Sequence, residues 1–572
     1  MTTQRCIRLH GAGLAVSALL TLLAGCGPAA TAPTSAPGGQ DRQAAAPKVL
    51  TIGLQRELSG FGSFQTGGGG IAAPDIAHDA LVNRSPTGGF EPSLAVDKPS
   101  VEKGTWRINA DGTMELTWRI HPNVKWHDGA PFTSADLVFT YMVYSDKDLP
   151  SSVASLLERV QSIAAPDAHT FIVGYSRTDV RADQAGGLAS PLPRHLLEDV
   201  YQTNKTELPG SPYLIAEFVG LGPYRLVRWD SGVQIEFTRF DDYYRGRPPL
   251  DRVILRYVRD ANALIANILS GNVDVVIPPG PDVDAGMEVR QRWAGTGNRV
   301  VIEPTDEFNW IQVQFRPEVV RPVSAWLNRD VRAALYHAID RQTLAQVMTH
   351  GLSPIADSWF PANHPYRAQV EDAIPQFPYD TNRAQQLLTQ AGWTRGSDGV
   401  LVNQQTGERF ATDFWANERL DLQREQAIIA EQWKAVGVQA AVPVVSAVMS
   451  QDRQNEVLLS GPRVGSVRID RFLFDGQLHT RETASEANRW GGRNRGAYSN
   501  PAADAILDRL SATIDTRERI PLYKEVVRLH IGDVAIMPMY WEIEPVLHLA
   551  AVNGITHGGQ QTTWNFFEWS KE

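Results

Sequence analysis

The chain has 572 residues, of which 43% are hydrophobic, with a formal net charge of −10 at pH 7 and 2 cysteines. At roughly 100–200 residues per domain this length predicts about three domains, and such a chain can bury enough apolar surface to fold without cross-links. The negative charge argues against a nucleic-acid partner, because phosphate binding requires basic patches. Cys6 and Cys26 both lie near the amino terminus, so the rest of the chain has neither a disulfide nor a cysteine zinc site.

The amino-terminal residues have the pattern of a secretory signal. Arg5 and Arg8 precede a small and apolar run at 11–23, which is too short for a spanning helix of about 20 apolar residues. The run leads into Leu-Ala-Gly-Cys at 23–26, which resembles a bacterial lipobox, the motif whose cysteine is acylated and begins the mature protein. A signal cleavage site with an incidental cysteine is the alternative. We expect Cys26 to carry lipid.

Residues 27–47 are rich in Pro, Ala, Gly and Thr and too poor in large apolar residues to fold. Together with Cys26 they form a predicted tether. One acyl chain holds a protein only marginally, whereas several hold it firmly. We therefore expect a soluble body anchored by lipid to the cell membrane, on its periplasmic or extracellular face. No later stretch of sequence predicts a spanning segment, so the chain is not itself a channel or transporter.

From residue 48 the chain alternates strand-like and helix-like segments, which predicts an α/β fold. Residues 48–54 are the predicted first buried strand. Residues 113–126 alternate apolar and polar side chains, which is typical of a strand or hairpin with one buried face. Thr133 and Asp136 then have the spacing of a capping box that opens a helix.

Later segments continue this alternation. A hairpin is predicted over 221–237, and a helix is predicted to start at Asn262. Asp330 is predicted to cap another helix whose apolar spacing continues to Leu344, and Thr381 is predicted to cap a third.

Motifs of secreted enzymes are missing from the sequence. It contains no Gly-x-Ser-x-Gly elbow, no His-Glu-x-x-His helix and no Gly-x-x-x-x-Gly-Lys loop. His121 and His127 could form a metal pair beside Asp128, but no further ligand is near in sequence. We therefore predict that the chain is not an enzyme and has no metal or cofactor. A glycosidase stays open as an alternative, because some acidic pair must lie close in space.

Several motifs together resemble family 5 of the extracellular solute-binding proteins, the oligopeptide-, dipeptide- and nickel-binding lipoproteins of ABC importers. The resemblance extends from about residue 48 to the carboxyl end. The motifs that carry it are WRI at 118–120, VKWHDGAPFTSADLVF at 124–139, GPY at 222–224, DYYRG at 242–246, NILSGNVD at 267–274, RDVRAAL at 329–335, AIDR at 338–341, AGW at 391–393, and YSNP at 498–501 with Asp504.

The resemblance implies a two-lobed, type II periplasmic-binding-protein-like α/β fold with an extra subdomain in lobe 1. The ligand would lie between lobes that close about a hinge. The predicted divisions are a signal peptide at 1–25, a tether at 26–47, lobe 1 at 48–80, 215–310 and 541–572, its inserted subdomain at 81–214, and lobe 2 at 311–540.

The resemblance also implies a ligand-binding aspartate. In peptide-binding members an aspartate of the second lobe pairs with the amino group of the ligand, since a buried cation needs a carboxylate. The matching stretch makes Asp470 the first candidate and Asp475 the second. The tryptophan that the family places near this aspartate is replaced by Val467, and Asp475 is followed by Gly476 instead of proline. Arg468 and Arg471 flank Asp470 and could neutralise it, and Arg468 is the third ligand-binding candidate of this stretch. A structural salt bridge of Asp470 is the alternative.

Four further ligand-binding candidates follow predicted strands. Glu57 and Phe61 come just after the first strand, and Trp415 and Asn417 lie at a similar strand-to-helix exit in the second lobe. Chain segments that leave strand ends commonly line the crevice of an α/β protein. Trp415 could stack on a planar or apolar group of a ligand.

The predicted function is that of a monomeric, lipid-anchored solute receptor that delivers its ligand to an ABC permease complex in the membrane. Small peptides are the leading ligand class. An oligosaccharide or opine-like solute, a ligand-sensing role with a signalling partner, and a secreted hydrolase are the alternatives.

Overall fold

The computed structural model describes residues 46–572, except residues 59, 62–73, 86–88, 152, 154–156, 186–189, 279, 363, 470–475 and 557–561. The chain divides into Met1–Ala46 and Pro47–Glu572, and the fold below is that of Pro47–Glu572. The predicted lipidation site Cys26 lies outside the described residues.

Strands and helices alternate along the chain, as the sequence predicts. The strands β1 to β22 are, in order, Val49–Leu54, Val82–Arg84, Phe90–Pro92, Trp106–Ile108, Met114–Arg119, Val160–Asp167, Thr170–Tyr175, Tyr224–Asp230, Gln234–Arg239, Arg252–Tyr257, Val275–Val276, Arg299–Gln312, Trp393–Arg395, Leu401–Asn403, Ala411–Asp413, Ala416–Asn417, Gln439–Ala441, Val444–Val445, Arg463–Arg468, Ile536–His548, Val552–Asn553 and Ser570–Lys571.

The helices α1 to α15 are, in order, Pro74–Ala77, Ser134–Ser145, Arg194–Asn204, Ala261–Leu269, Val283–Arg292, Val323–Trp326, Arg329–His337, Arg341–Thr349, Arg367–Val370, Thr381–Gln390, Leu420–Ala435, Ala447–Gln451, Arg453–Val457, Pro501–Ala512 and Thr516–Gly532. In the part of the chain that the structure describes, no helix has the length and hydropathy needed to cross a membrane.

The main sheet has eight strands in the order β19-β12-β20-β11-β1-β10-β9-β8. β1 runs parallel to both of its neighbours, whereas β8, β9 and β10 form an antiparallel meander. A separate four-stranded sheet, β4-β5-β7-β6, lies in the chain segment between β1 and β8. This arrangement confirms the α/β fold class.

Buried side chains form two large clusters. The first draws on residues from Leu50 to Ile277 and from Val546 to Trp569, and the second on residues from Phe308 to Trp541. We call the regions around these clusters the first and second lobes. The long antiparallel strands β12 and β20 pass from one lobe to the other, and we call them the crossing ribbon.

Several predicted elements are confirmed. β1 occupies the predicted first strand and is buried, and β8 pairs with β9 as the predicted hairpin. At the start of α2 the carboxylate of Asp136 accepts a hydrogen bond of 2.8 Å from the backbone N–H of Thr133, as a capping box requires.

Two predicted helix caps are wrong by one or two residues. The cap of α7 is Asn328, whose side chain accepts from the N–H of Asp330, and the cap of α10 is Asp380. Asp330 and Thr381 therefore lie in the first turns of their helices. In each case an Asn or Asp just upstream reaches the free N–H groups first.

The predicted helix that continues to Leu344 is also wrong, because the chain forms two helices there. The Asp340 side chain accepts from the N–H of Thr343 and starts α8 as a new helix. A cap inside an otherwise continuous apolar pattern therefore decided the boundary.

Candidate functional site

The crossing ribbon carries several carboxylates at the level where the lobes meet. Glu303 of β12 is paired directly with Glu544 of β20, so the two side chains share one face of the ribbon. Between Pro304 and Phe308 the register shifts, so that three residues of β12 lie opposite Glu542 alone. Such a bulge bends a ribbon and redirects its side chains. The fold thereby concentrates negative charge between the lobes.

Two of these glutamates have raised pKa values. Burial, followed by the nearby charge of Glu307, raises the pKa of Glu542 to about 7 and that of Glu544 also to about 7. Glu542 accepts a hydrogen bond of 3.0 Å from Nη2 of Arg419. The Glu544 side chain reaches solvent, yet it lies between the lobes, where protein displaces much of the surrounding water. Both carboxylates therefore exchange protons near neutral pH.

Arginines from both lobes approach this group. Arg84 of β2 in the first lobe contacts Asp306 at 2.5 Å, and Arg468 of β19 in the second lobe lies 3.9 Å from the same carboxylate. Asp306, on the crossing ribbon, therefore links charged side chains of the two lobes.

A buried polar cluster lies where helix α11 packs against the ribbon. Glu425 is 0% exposed, and its Oε2 accepts hydrogen bonds from Tyr540 Oη at 2.9 Å and from Asn309 Nδ2 at 3.2 Å. Burial raises the pKa of Glu425 to about 8, with further contributions from the charges of Glu542 and Asp421. Glu425 is therefore mostly protonated at neutral pH.

The edge of the second lobe at α11 exposes apolar side chains. β16 and β18 are parallel neighbours, and the helices α11 and α12 follow them. Leu420 at the start of α11 is 82% exposed and Val448 in α12 is 76% exposed. The carboxyl ends of neighbouring parallel strands commonly border the ligand crevice of an α/β protein.

The predicted candidates Trp415 and Asn417 lie at this same edge. Trp415 is half-buried, and its indole Nε1 donates to Ser460 Oγ at 3.4 Å. The side-chain oxygen of Asn417 accepts from the N–H of Arg419 at 2.9 Å. Asn417 thereby orients the residue that binds Glu542. Contact of Trp415 or Asn417 with a ligand stays a prediction.

The predicted candidates Glu57 and Phe61 lie in the first lobe. The Glu57 carboxylate accepts from Trp229 Nε1 at 3.0 Å and from the N–H of Gly232 at 2.9 Å, and these bonds keep its pKa below the usual value despite burial. Phe61 is buried and stacks on Phe218 with 4.0 Å between ring centroids. Both side chains have internal partners, and their contact with a ligand stays a prediction.

We expect Glu57→Ala to lower the free energy of unfolding by about 1 kcal/mol, because Trp229 and Gly232 lose their acceptor. Urea denaturation measures this change, and exposed Glu288→Ala is the control. If Glu57 binds the ligand as well, the variant also loses ligand affinity; a stable variant with unchanged affinity would remove Glu57 from both roles.

The chain matches the family model for bacterial extracellular solute-binding proteins, family 5 Middle, over residues 98–460. The protein belongs to family 5 of the bacterial extracellular solute-binding proteins. Membership in this family makes the chain a binding protein and not an enzyme, as the sequence motifs predict.

Other family 5 proteins resemble the chain along most of its length. The oligopeptide-binding protein AppA of Bacillus subtilis (strain 168) is 27% identical over 475 residues, which are 80% of this chain and 81% of that protein. The solved structure of AppA in complex with a nonapeptide has a TM-score of 0.71 at 20% identity and covers 92% of this chain and 100% of that chain.

NikZ from Campylobacter jejuni, solved in complex with Ni(L-His), also has a TM-score of 0.71, at 19% identity, and covers 92% of this chain and 100% of that chain. These similarities confirm the two-lobed, type II fold that the motifs imply.

Some predicted site residues of this family 5 protein lie outside the described part of the chain. Asp470 and Asp475 are among them, and their role stays a prediction. Arg468 is the third candidate of that stretch. It lies on β19 directly opposite Glu307 of β12, and its guanidinium is 3.9 Å from the carboxylate of Asp306. The structure thus brings Arg468 to the ribbon carboxylates.

Of the two histidines that could have formed a metal pair, His121 and His127, at least His127 has other partners. His127 uses Nε2 with the carbonyl of Gly222 at 3.0 Å, and its Nδ1 accepts from the N–H of Gly220 at 3.1 Å. Within the described ranges, no three His, Cys, Asp or Glu side chains are arranged to hold a metal ion.

Four residues at this junction were not predicted from the sequence: Glu303, Glu542, Glu544 and Arg419. One signal was available, because the order Trp-Glu-Ile-Glu at 541–544 places two glutamates on one face of a strand. The residues that oppose this face depend on pairing with β12, more than 200 positions earlier in the chain.

Proposed function

We propose that the protein is a lipid-anchored receptor that binds a small peptide between its lobes and delivers it to an ABC import permease. The observation that carries the proposal is the pair of lobes joined by a ribbon whose charged residues lie at the lobe junction. Lobes joined in this way can enclose a ligand, and a membrane partner can sense the closed form. AppA, which was solved with a nonapeptide, supports a peptide as the ligand class.

The anchor and the domain divisions belong to the same proposal. Acylated Cys26 would hold the protein as a monomer at the outer face of the cell membrane, through a tether ending at residue 47. Lobe 1 would comprise 48–80, 215–310 and 541–572 with a subdomain at 81–214, and lobe 2 would comprise 311–540. The separation of the two buried clusters supports the division between lobe 1 and lobe 2.

Native mass spectrometry of the full-length protein, extracted in mild detergent without refolding, tests the ligand class. We expect the protein to retain a ladder of short peptides, because a closed two-lobed cleft releases its ligand slowly. Asp470→Ala should retain less peptide if Asp470 pairs with the ligand amine, whereas the exposed Glu431→Gln should retain the same amount.

Other results would contradict the peptide proposal. A retained sugar or opine-like compound would identify the other receptor class. Turnover of a chromogenic substrate panel, without any ligand-induced thermal shift, would identify a hydrolase.

A further inference from the structure

Asp284 of helix α5 connects the first lobe to the second. Val289 of α5 belongs to the same buried cluster as Leu264 of α4, which packs on β1, so α5 is part of the first lobe. Nε2 of His350, the residue after α8, lies 2.5 Å from Oδ1 of Asp284, and Nη1 of Arg424 in α11 lies 3.4 Å from Oδ2. Because α8 and α11 pack in the second lobe, this carboxylate bridges the lobes. We call the contact the Asp284 bridge.

A second bridge between the lobes is centred on Asp306 of the crossing ribbon. Asp306 contacts Arg84 of the first lobe at 2.5 Å and lies 3.9 Å from Arg468 of the second lobe. Besides burial and the charge of Glu307, the charge of Asp306 raises the pKa of Glu544, which places Asp306 near Glu544. We call this contact the Asp306 bridge.

The two bridges lie on opposite faces of the crossing ribbon. Ile302 and Pro545 are directly paired across the ribbon, and Gly286 of α5 packs closely against both, so α5 covers the face to which they belong. Glu544 precedes Pro545 and points to the other face, because side chains alternate along a strand. Asp306 lies near Glu544. We call the face of Glu544 the front of the ribbon and the face covered by α5 the back.

A hinge at the ribbon moves the two bridges in opposite senses. Closing the lobes over the front brings groups on the front together and draws groups on the back apart, and opening the lobes does the reverse. The Asp306 bridge on the front therefore favours the closed form, and the Asp284 bridge on the back favours the open form.

We propose that the Asp284 bridge is a latch that holds the empty receptor open against the pull of the Asp306 bridge. This inference rests on the proposed closure of the lobes about a ligand. Asp284, His350 and Arg424 are 39–58% exposed, and ion pairs with such exposure are weak. A weak contact suits a latch, because the binding of a ligand must break it while still shifting the population to the closed form.

Electron–electron double resonance between two spin labels, without any ligand, tests the proposal. The protein is the full-length chain in mild detergent with Cys6→Ser and Cys26→Ser, which removes the cysteines of the natural sequence. The labels are attached at Asp242→Cys in the first lobe and Glu431→Cys in the second, both at exposed positions. The distribution of distances between the labels reports the populations of the open and closed forms.

We expect Asp284→Asn to raise the ratio of closed to open protein by about two- to fivefold, because an exposed ion pair is worth about this much. Asp284→Lys should raise it as well, and adding Arg424→Glu to that variant should return the ratio towards the wild-type value. Glu288→Gln is the matched control, because Glu288 lies on the same helix but pairs with Arg292 of that helix. Asp306→Asn should shift the ratio in the opposite direction, towards the open form.

The other outcomes separate the latch from the proposed receptor. If two distances are present and Asp284→Asn leaves their ratio unchanged or favours the open form, the latch is overturned and the receptor proposal stands. A shift of Asp306→Asn to the closed form would show that the two bridges do not oppose each other, and it would also overturn the latch. One distance shared by the wild type and all variants would do the same. In that case a tryptic digest of casein is added, and a distance that still does not change would contradict the peptide receptor too.

Discussion

Asp79→Ala should lower the free energy of unfolding by about 3–5 kcal/mol, because several buried donors lose one shared acceptor. Asp79 is buried, and its Oδ2 accepts from Tyr243 Oη at 2.8 Å and from Tyr244 Oη at 2.9 Å. Its Oδ1 accepts from Asn83 Nδ2 at 2.8 Å and from the hydroxyl of Ser93. Alanine removes the acceptor that these four side chains share, and Ser93, Tyr244 and Asn83 keep only their longer contacts with one another.

Urea denaturation followed by tryptophan fluorescence measures the loss. Asp242→Ala is the matched control, because Asp242 adjoins Tyr243 but is 62% exposed and, among the residues that the structure describes, its carboxylate pairs only with the exposed Lys125. Exposed ion pairs contribute about 0–1 kcal/mol, so the control should unfold almost as the wild type does. Equal losses in the two variants would show that the Asp79 cluster adds no special stability.

The Asp79 cluster illustrates which contacts can be predicted from the sequence and which cannot. The motif at 242–246 was recognisable as a family pattern, but the partner of its two tyrosines lies more than 160 residues earlier in the chain. Local signals such as the capping box at Thr133 predict local structure well, since all of their contacts lie within one turn. A cluster formed by distant segments has no such local signal.

In the candidate site, too, local features could be predicted and contacts between distant segments could not. The positions of Trp415 after β15 and of Asn417 at the end of β16 could be predicted, because strand exits have local patterns. The pairing of Glu303 with Glu544 depends on the register of β12 against β20 and on a bulge beside it. Neither the register nor the bulge can be read from the alternation of either strand alone.

We expect Glu425→Gln to make the protein more stable than the wild type at pH 8, and to change its stability little near pH 4.5. The ordinary pKa of a glutamate is 4.5, and burial raises that of Glu425 to about 8 in the folded state. The folded protein therefore keeps a proton that the unfolded chain has released. The free energy of unfolding of the wild type is therefore highest, as far as Glu425 contributes to it, below pH 4.5. It falls as the pH rises from 4.5 towards 8, and it is constant above pH 8.

Glutamine has no proton to lose, so the variant avoids this decline. At about 1.4 kcal/mol per pKa unit, the difference in unfolding free energy between variant and wild type should grow by about 3–5 kcal/mol between pH 4.5 and pH 8. Urea denaturation at pH 4.5, 6, 7, 8 and 9 measures it. Glu431→Gln, on the same helix but 72% exposed, should differ from the wild type by the same small amount at every pH.

The pH dependence of the Glu425→Gln variant also reports on the packing of the second lobe against the crossing ribbon. Its hydrogen-bond partners, Asn309 and Tyr540, lie on the two strands of the crossing ribbon, so ionised Glu425 places a buried charge where helix α11 packs on that ribbon. The nearby carboxylates of Glu542 and Asp421 repel this charge. A stability difference that stays constant from pH 4.5 to pH 9 would mean that Glu425 is already ionised in the folded protein and that an unseen donor compensates its charge.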